Sequence, residues 1–150
     1  MAQSLSNVLV HLVFSTKHRR AWIDQGIEAE MHAYLAKACR SMGAPAIKVG
    51  GVDDHVHLAC RLGRTVSVAD LVQGIKQDSS KWVKTRGETY QAFAWQNGYG
   101  AFSVGASQLP ALVRYIEGQR EHHRQASFQE EYRTLLERYG IEFDERYVWE

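Results

Sequence analysis

The amino-acid sequence predicts an α+β fold built on an antiparallel sheet. Three observations lead there. Residues Asn7 to Ser15 and His55 to Leu62 are apolar or alternate apolar with polar side chains, the period-two pattern of strands. Residues Ile27 to Met42 and Val68 to Val83 place apolar side chains three and four apart, as helices packed by one face do. The short gap Asp53-Asp54 between two strand-like segments leaves room only for a hairpin, which makes that pair antiparallel.

The elements follow in order. Asn7 to Ser15, Asn-Val-Leu-Val-His-Leu-Val-Phe-Ser, is apolar enough to be a central strand. Asp24 reads as the cap of a helix over Ile27 to Met42, which Gly43 ends. Ala46 to Val52 is a short strand interrupted by Gly50-Gly51, and His55 to Leu62 is the next. Ser67 caps a second helix with Val68, Leu71, Val72, Ile75, Trp82 and Val83 on its buried side. Phe93 to Gln96 and Ala101 to Val104 read as short strands around Asn97-Gly98-Tyr99-Gly100. A helix over about 108–124 carries the stripe Leu109, Leu112, Val113, Ile116, with Pro110 in its first turn and Ser107 as cap. Gly118 and Gly140 make this helix and its successor more pliable than an ideal one. Phe128 to Tyr139 is a final helix stopped by Gly140, and the aromatic, acidic residues Ile141 to Glu150 wrap over the surface. The order β-α-β-β-α-β is that of a ferredoxin-like split β-α-β unit with helices covering one face of the sheet, plus C-terminal helices. The other face is expected to be available to paired histidines.

At 150 residues, 45% hydrophobic and 23% charged, the chain is expected to be one domain over 1–150, with the helix at 108–124 and a C-terminal helix and tail at 127–150. No apolar run is long enough to span a membrane. The start, Met-Ala-Gln-Ser-Leu-Ser, lacks a basic stretch and cleavage signature, so a signal peptide is not expected and the location is read as cytoplasmic. Cys39 and Cys60 read as buried small hydrophobes in a reducing compartment, not as a disulfide or metal pair. The net charge of +1 says little about nucleic acid. Its distribution says more: Lys17, His18, Arg19 and Arg20 cluster after the first strand, Lys76, Lys81, Lys84 and Arg86 lie along one helix, and acidic residues concentrate after Glu130.

Two groups carry chemistry. His55 and His57 stand two apart on a strand, so they share a face with Cβ atoms roughly 6.5 Å apart, from about 3.3 Å of rise per residue. Two imidazoles so placed can close on one metal ion at about 2.1 Å per bond. Tyr115 and Gln119 are four apart on a helix, and His122 continues their face.

Together these motifs resemble the single-tyrosine HUH transposases of the IS200/IS605 type, including the REP-associated tyrosine transposases. The His-hydrophobe-His motif matches His55-Val56-His57, and the Tyr-Ile-x-x-Gln motif matches Tyr115-Ile116-Glu117-Gly118-Gln119. Between them, Ile75-Lys76-Gln77-Asp78-Ser79-Ser80-Lys81-Trp82 is similar to the family's Lys-x-x-Ser-rich helix. The run from Trp95 to Val104 is similar to its Trp-x-x-Gly-Tyr-x-x-x-Ser-Val segment. The likeness covers nearly the whole chain.

The resemblance implies a metal-dependent transposase that nicks and rejoins single-stranded DNA through a 5′-phosphotyrosine on Tyr115. It implies Mg²⁺ or Mn²⁺ held by His55, His57 and Gln119, and His122 and His123 offer alternatives to Gln119. It implies single-stranded DNA with a hairpin near the cleavage site as partner, and a homodimer in which the tyrosine helix can serve the partner's histidines, with Tyr99 to Gly105 as hinge. Imidazole by itself favours zinc, copper or nickel over magnesium; cellular availability argues for Mg²⁺ or Mn²⁺. Two other readings stand beside this one. A non-catalytic single-stranded nucleic-acid-binding module of the same fold would use Trp82, Trp95, Tyr99 and Phe102 for stacking. A metal-dependent phosphodiesterase would use water and leave Tyr115 structural.

Overall fold

A computed structural model describes residues 2–150. Strands β1 (Val8–Ser15), β2 (Ala46–Gly51), β3 (His55–Leu62) and β4 (Gly100–Val104) form one antiparallel sheet in the order β2-β3-β1-β4. Helices α1 (Glu28–Ser41) and α2 (Val68–Lys84) complete the β-α-β-β-α-β unit. After β4 come α3 (Leu109–Glu117), the single turn α4 (Gln119–His122) and α5 (Phe128–Arg138). The α+β fold and the strand order of the split unit are those the sequence pattern predicts. Among the described residues, no helix is long and apolar enough to cross a membrane.

Alternation along the strands sorts side chains onto two faces. Leu12 and Phe14 of β1 and Val56, Leu58 and Cys60 of β3 pack against Met31 and Leu35 of α1 and Leu71 and Ile75 of α2. The residues between them, His11 and Val13 on β1 and His55 and His57 on β3, point the other way. That second face is not open: α5 lies across it, packing Phe128, Tyr132, Leu135 and Leu136 against Val13 and Phe102. The C-terminal helices are thus a second layer, and the histidine pair lies inside the protein.

Two glycines let this layer approach. Gly50 sits opposite His57 in the sheet. A Cβ there would meet the Ile116 side chain and carbonyl at 2.7 Å, so glycine is what allows α3 to lie directly on β2. At Gly100 a Cβ would come within 2.7 Å of the Tyr132 ring, and its absence seats α5 on β4.

Several local expectations are corrected. Phe93 to Gln96 forms no strand and contributes one isolated bridge, Thr16 to Trp95. Asp24 caps a preceding turn, accepting from Gly26 N, and α1 begins four residues later. Ser107 lies in a 3-10 turn, Ala106–Gln108, and gives α3 no side-chain cap. Of the stripe on α3, only Ile116 is fully buried. The segment 108–124 is divided at Gly118, where the backbone leaves helical geometry. Residues 100–104 of the supposed hinge are strand β4. Trp82 is half-buried and stacks on Tyr34, with ring centroids 5.2 Å apart.

Other expectations agree with the structure. Ser67 Oγ accepts from Asp70 N at 3.0 Å, capping α2. The tail packs Phe143, Val148 and Trp149 on the second cluster, and the Glu150 carbonyl accepts from Gly98 N at 2.9 Å. Cys39 and Cys60 are buried free thiols with sulfurs 3.8 Å apart.

Candidate active site

The β3 pair is the floor of the site. His55 and His57 are both fully buried and project from one face. Each imidazole is oriented by a neighbour at its Nδ1. His55 Nδ1–H donates to Asp54 Oδ1 at 2.7 Å. His57 Nδ1 and His11 Nε2 share a hydrogen bond of 2.8 Å. Their Nε2 atoms are thereby aimed at the overlying helices.

The helices supply the rest. The break at Gly118 turns α4 so that Gln119 is buried, with Oε1 3.1 Å from His55 Nε2. His123, just past α4, donates from Nδ1 to the Ala126 carbonyl at 2.7 Å. Its Nε2 lies 2.9 Å from Gln119 Oε1 and 3.2 Å from a carboxylate oxygen of Glu131. Glu131, on α5, is the hub. Its Oε1 is 2.9 Å from His57 Nε2 and 3.3 Å from His55 Nε2. Its Oε2 accepts from Gln119 Nε2 at 3.1 Å and from the Tyr115 hydroxyl. His122 Nε2 stands 3.3 Å from Oε2 without a hydrogen bond.

The structure therefore brings Tyr115, His55, His57 and Gln119 to one place within a single chain. It adds three residues that the sequence reading did not assign to the site or left open. His11 is a lone imidazole in the middle of an otherwise apolar strand. Glu131 stands three residues after Phe128, four before Leu135 and beside Tyr132, on the core-facing stripe of α5. A carboxylate on such a stripe is the signal that identifies it. His123, an alternative at the sequence level, is drawn in; His122 stays at the edge.

Electrostatics follow from this packing. Burial disfavours charge on His55, but its hydrogen bonds to Asp54 and Glu131 outweigh that and raise its pKa to about 9. Burial would raise Glu131, yet hydrogen bonds from His123, His55 and His57 hold its carboxyl far below the usual range. Burial lowers His57. Burial, then the neighbouring His57, lowers His11 to about 3. Burial, then the negative charge of Glu131, pushes the Tyr115 hydroxyl well above its ordinary value.

The donor set fits a divalent cation. A nitrogen each from His55, His57 and His123 and an oxygen of Glu131 all lie within 4.8 Å of one another. Ligands at about 2.1 Å from an ion stand at most about 4.2 Å apart, so a small contraction closes the site. Asp54 and the Ala126 carbonyl fix His55 and His123 with Nε2 facing inward, as outer partners of metal-bound imidazoles do.

The surface features divide. Trp95 and Phe102 are buried, which removes two of the four stacking groups a pure binding module would use. Lys76 is turned inward: its ammonium donates to the Gln96 and Gly98 carbonyls at 2.8 and 2.7 Å, and burial lowers its pKa to about 8.

A family model for IS200-like transposases matches residues 4–119. No curated protein matches the chain. Among solved structures, a Deinococcus radiodurans R1 protein described as a transposase superposes with a TM-score of 0.62 at 18% identity, over 79% of this chain and 98% of that one. A REP-associated tyrosine transposase bound to a REP hairpin superposes with a TM-score of 0.60 at 12% identity, over 82% of this chain and 72% of the other. At such identities the structural likeness is one of fold.

Proposed function

Because the chain belongs to the IS200-like transposase family, we propose that it nicks and rejoins single-stranded DNA through a 5′-phosphotyrosine formed on Tyr115. One observation carries this reading: the Tyr115 hydroxyl is bonded to the same carboxylate, Glu131, whose other oxygen faces three imidazole nitrogens. The nucleophile and the groups that would organise a phosphate are one side chain apart.

When bound, a divalent cation at His55, His57 and Gln119, with His123 and Glu131 as further donors, supplies a Lewis acid for a non-bridging phosphate oxygen. Three imidazoles and a carboxylate favour Mn²⁺ over Mg²⁺ within the proposed pair of ions. The protein's own groups do the rest. Tyr115 Oη attacks phosphorus, the P–O3′ bond breaks, and its electron pair leaves with the 3′ oxygen, which takes up a proton. The Tyr115 proton leaves along its hydrogen bond to Glu131 Oε2 and is the proton the 3′ oxygen takes up, so the carboxylate ends ionised as it began. The 3′ hydroxyl can then attack the phosphotyrosine and reverse the step, so rejoining needs no nucleotide cofactor. The buried carboxylate keeps Tyr115 protonated until its charge is offset, which restrains the nucleophile in the resting protein.

All of these groups lie in one chain, which supports a site assembled within each subunit; a homodimer would carry two. A hairpin beside the cleavage site is the proposed DNA partner, as a fold relative is bound to a REP hairpin.

The test is a denaturing gel of protein incubated with Mn²⁺ and a single-stranded oligonucleotide carrying a palindrome that flanks its gene. The wild type should migrate as a covalent adduct. Tyr115→Phe, which removes one oxygen, should give none yet retain DNA in a native gel. Persistent adduct in that variant would move the nucleophile elsewhere, and no adduct in the wild type would contradict the reading.

A further inference from the structure

On the side of Tyr115 away from β3, α3 and α5 stand apart over β4 and enclose a cavity of about 510 Å³. This is within the ~300–1,000 Å³ of small-ligand sites and large enough for one nucleotide unit. We propose that this cavity holds the base of a single extruded nucleotide, the one whose 5′ phosphate Tyr115 attacks. The inference rests on the tyrosine reading and extends it from the reacting bond to the recognition of the DNA.

Position argues for that nucleotide. Tyr115 and Glu131 are among the residues that line the cavity. After the P–O3′ bond breaks, the phosphorus stays on Tyr115, so the nucleotide still attached to it must lie against the tyrosine.

Chemistry argues for the base and against a further phosphate. Leu112 and Leu135 form the walls, with the Tyr139 ring, 41% exposed, beside them. Such a surface suits a flat, uncharged heterocycle that stacks and excludes water. Two carboxylates, Glu130 and Glu131, line the cavity and would repel a second phosphate inside it. The polar groups among the lining, Arg138, Gln108 and Thr134, suit the hydrogen-bonding edge of a base and its sugar. The Tyr139 hydroxyl donates to the Ser103 carbonyl at 3.1 Å, which fixes the ring against β4 as a rigid wall.

The experiment is an abasic scan. Tyr115→Phe protein, which keeps the ring but cannot react, is titrated by fluorescence anisotropy with the palindrome-bearing oligonucleotide, each position near the cleaved bond replaced in turn by an abasic sugar. The wild type is assayed for adduct on the same DNA. One position, the first 3′ of the cleaved bond, should weaken binding about tenfold, in line with the loss of one stacked base. Leu112→Trp, which fills the cavity, and Tyr139→Ala, which removes a wall, should each flatten the scan when added to Tyr115→Phe. A flat scan, or a step that survives both substitutions, while the wild type still forms adduct, would overturn the pocket and leave the tyrosine reading standing. A step that both substitutions erase, with no adduct in the wild type, would leave a base in the cavity but overturn its assignment to the nucleotide linked to Tyr115, and with it the tyrosine reading.

Discussion

The two faces of the sheet are built from alternate residues of the same strands, and they behave as different materials. Toward α1 and α2, β1 and β3 present Leu12, Phe14, Val56, Leu58 and Cys60, a dry hydrocarbon layer. Toward α3, α4 and α5 the intervening positions present His11, His55 and His57, which meet Gln119, His123 and Glu131. One face supplies stability through apolar burial. The other buries polar groups, which is tolerable only because nearly every one is hydrogen-bonded. A rigid apolar layer behind a polar one holds the imidazoles in place for a ligand.

The largest expected effects separate the faces by residues next to each other on β3. His57→Ala should abolish cation-dependent cleavage and lower Mn²⁺ affinity by more than the roughly 10–100-fold associated with outer-shell partners, while the melting transition stays cooperative. Leu58→Ala should do the reverse. It should cost about 2–5 kcal/mol of stability through the cavity it leaves, with Mn²⁺ affinity by calorimetry unchanged at a temperature where the variant is folded. If both substitutions moved affinity equally, the division between the faces would fail.

A smaller effect is the response to pH without metal. His11 is depressed to about 3 from an ordinary 6.5, so its contribution is fully present above about 6.5 and is lost as pH falls toward 3. His55 is raised to about 9, so its contribution is fully present below about 6.5 and is lost as pH rises through 9. Melting temperature in EDTA should therefore fall on both sides of neutrality. His11→Phe should lessen the acid-side fall, which His57 and Glu131 share, and leave the alkaline side unchanged. Leu58→Ala should lower the whole curve without changing its shape. A pH-independent melting temperature in the native protein would contradict the burial of titratable groups on the second face.

The sequence made much of the first face legible, and the floor of the second. Period-two alternation set β3 at His55 to Leu62, and the i, i+2 spacing put both imidazoles on one side. Glu131 was obscured because an acidic residue among Glu130, Glu137 and Glu142 reads as solvated surface. What buries it is tertiary: partners from β3, α3 and α4 that a local pattern does not contain. Phe93 to Gln96 misled for the opposite reason. Phe93 and Trp95 alternate because a loop drops both into the core, where Trp95 Nε1 donates to Ser79 Oγ at 2.9 Å. That gives the strand pattern without a strand partner. On α3 the stripe overstated burial because Leu112 faces the cavity between helices, not the sheet.

The central claim is that Tyr115, held on Glu131 beside the imidazoles, is the group that becomes linked to DNA. Mass spectrometry of the proteolysed wild-type adduct, formed with Mn²⁺ and digested with nuclease to a residual nucleotide, tests it most directly. The nucleotide mass should appear on the peptide containing Tyr115 and be lost in Tyr115→Phe. The same mass on the peptide of Tyr132, Tyr139 or any other tyrosine, with Tyr115 unmodified, would contradict it.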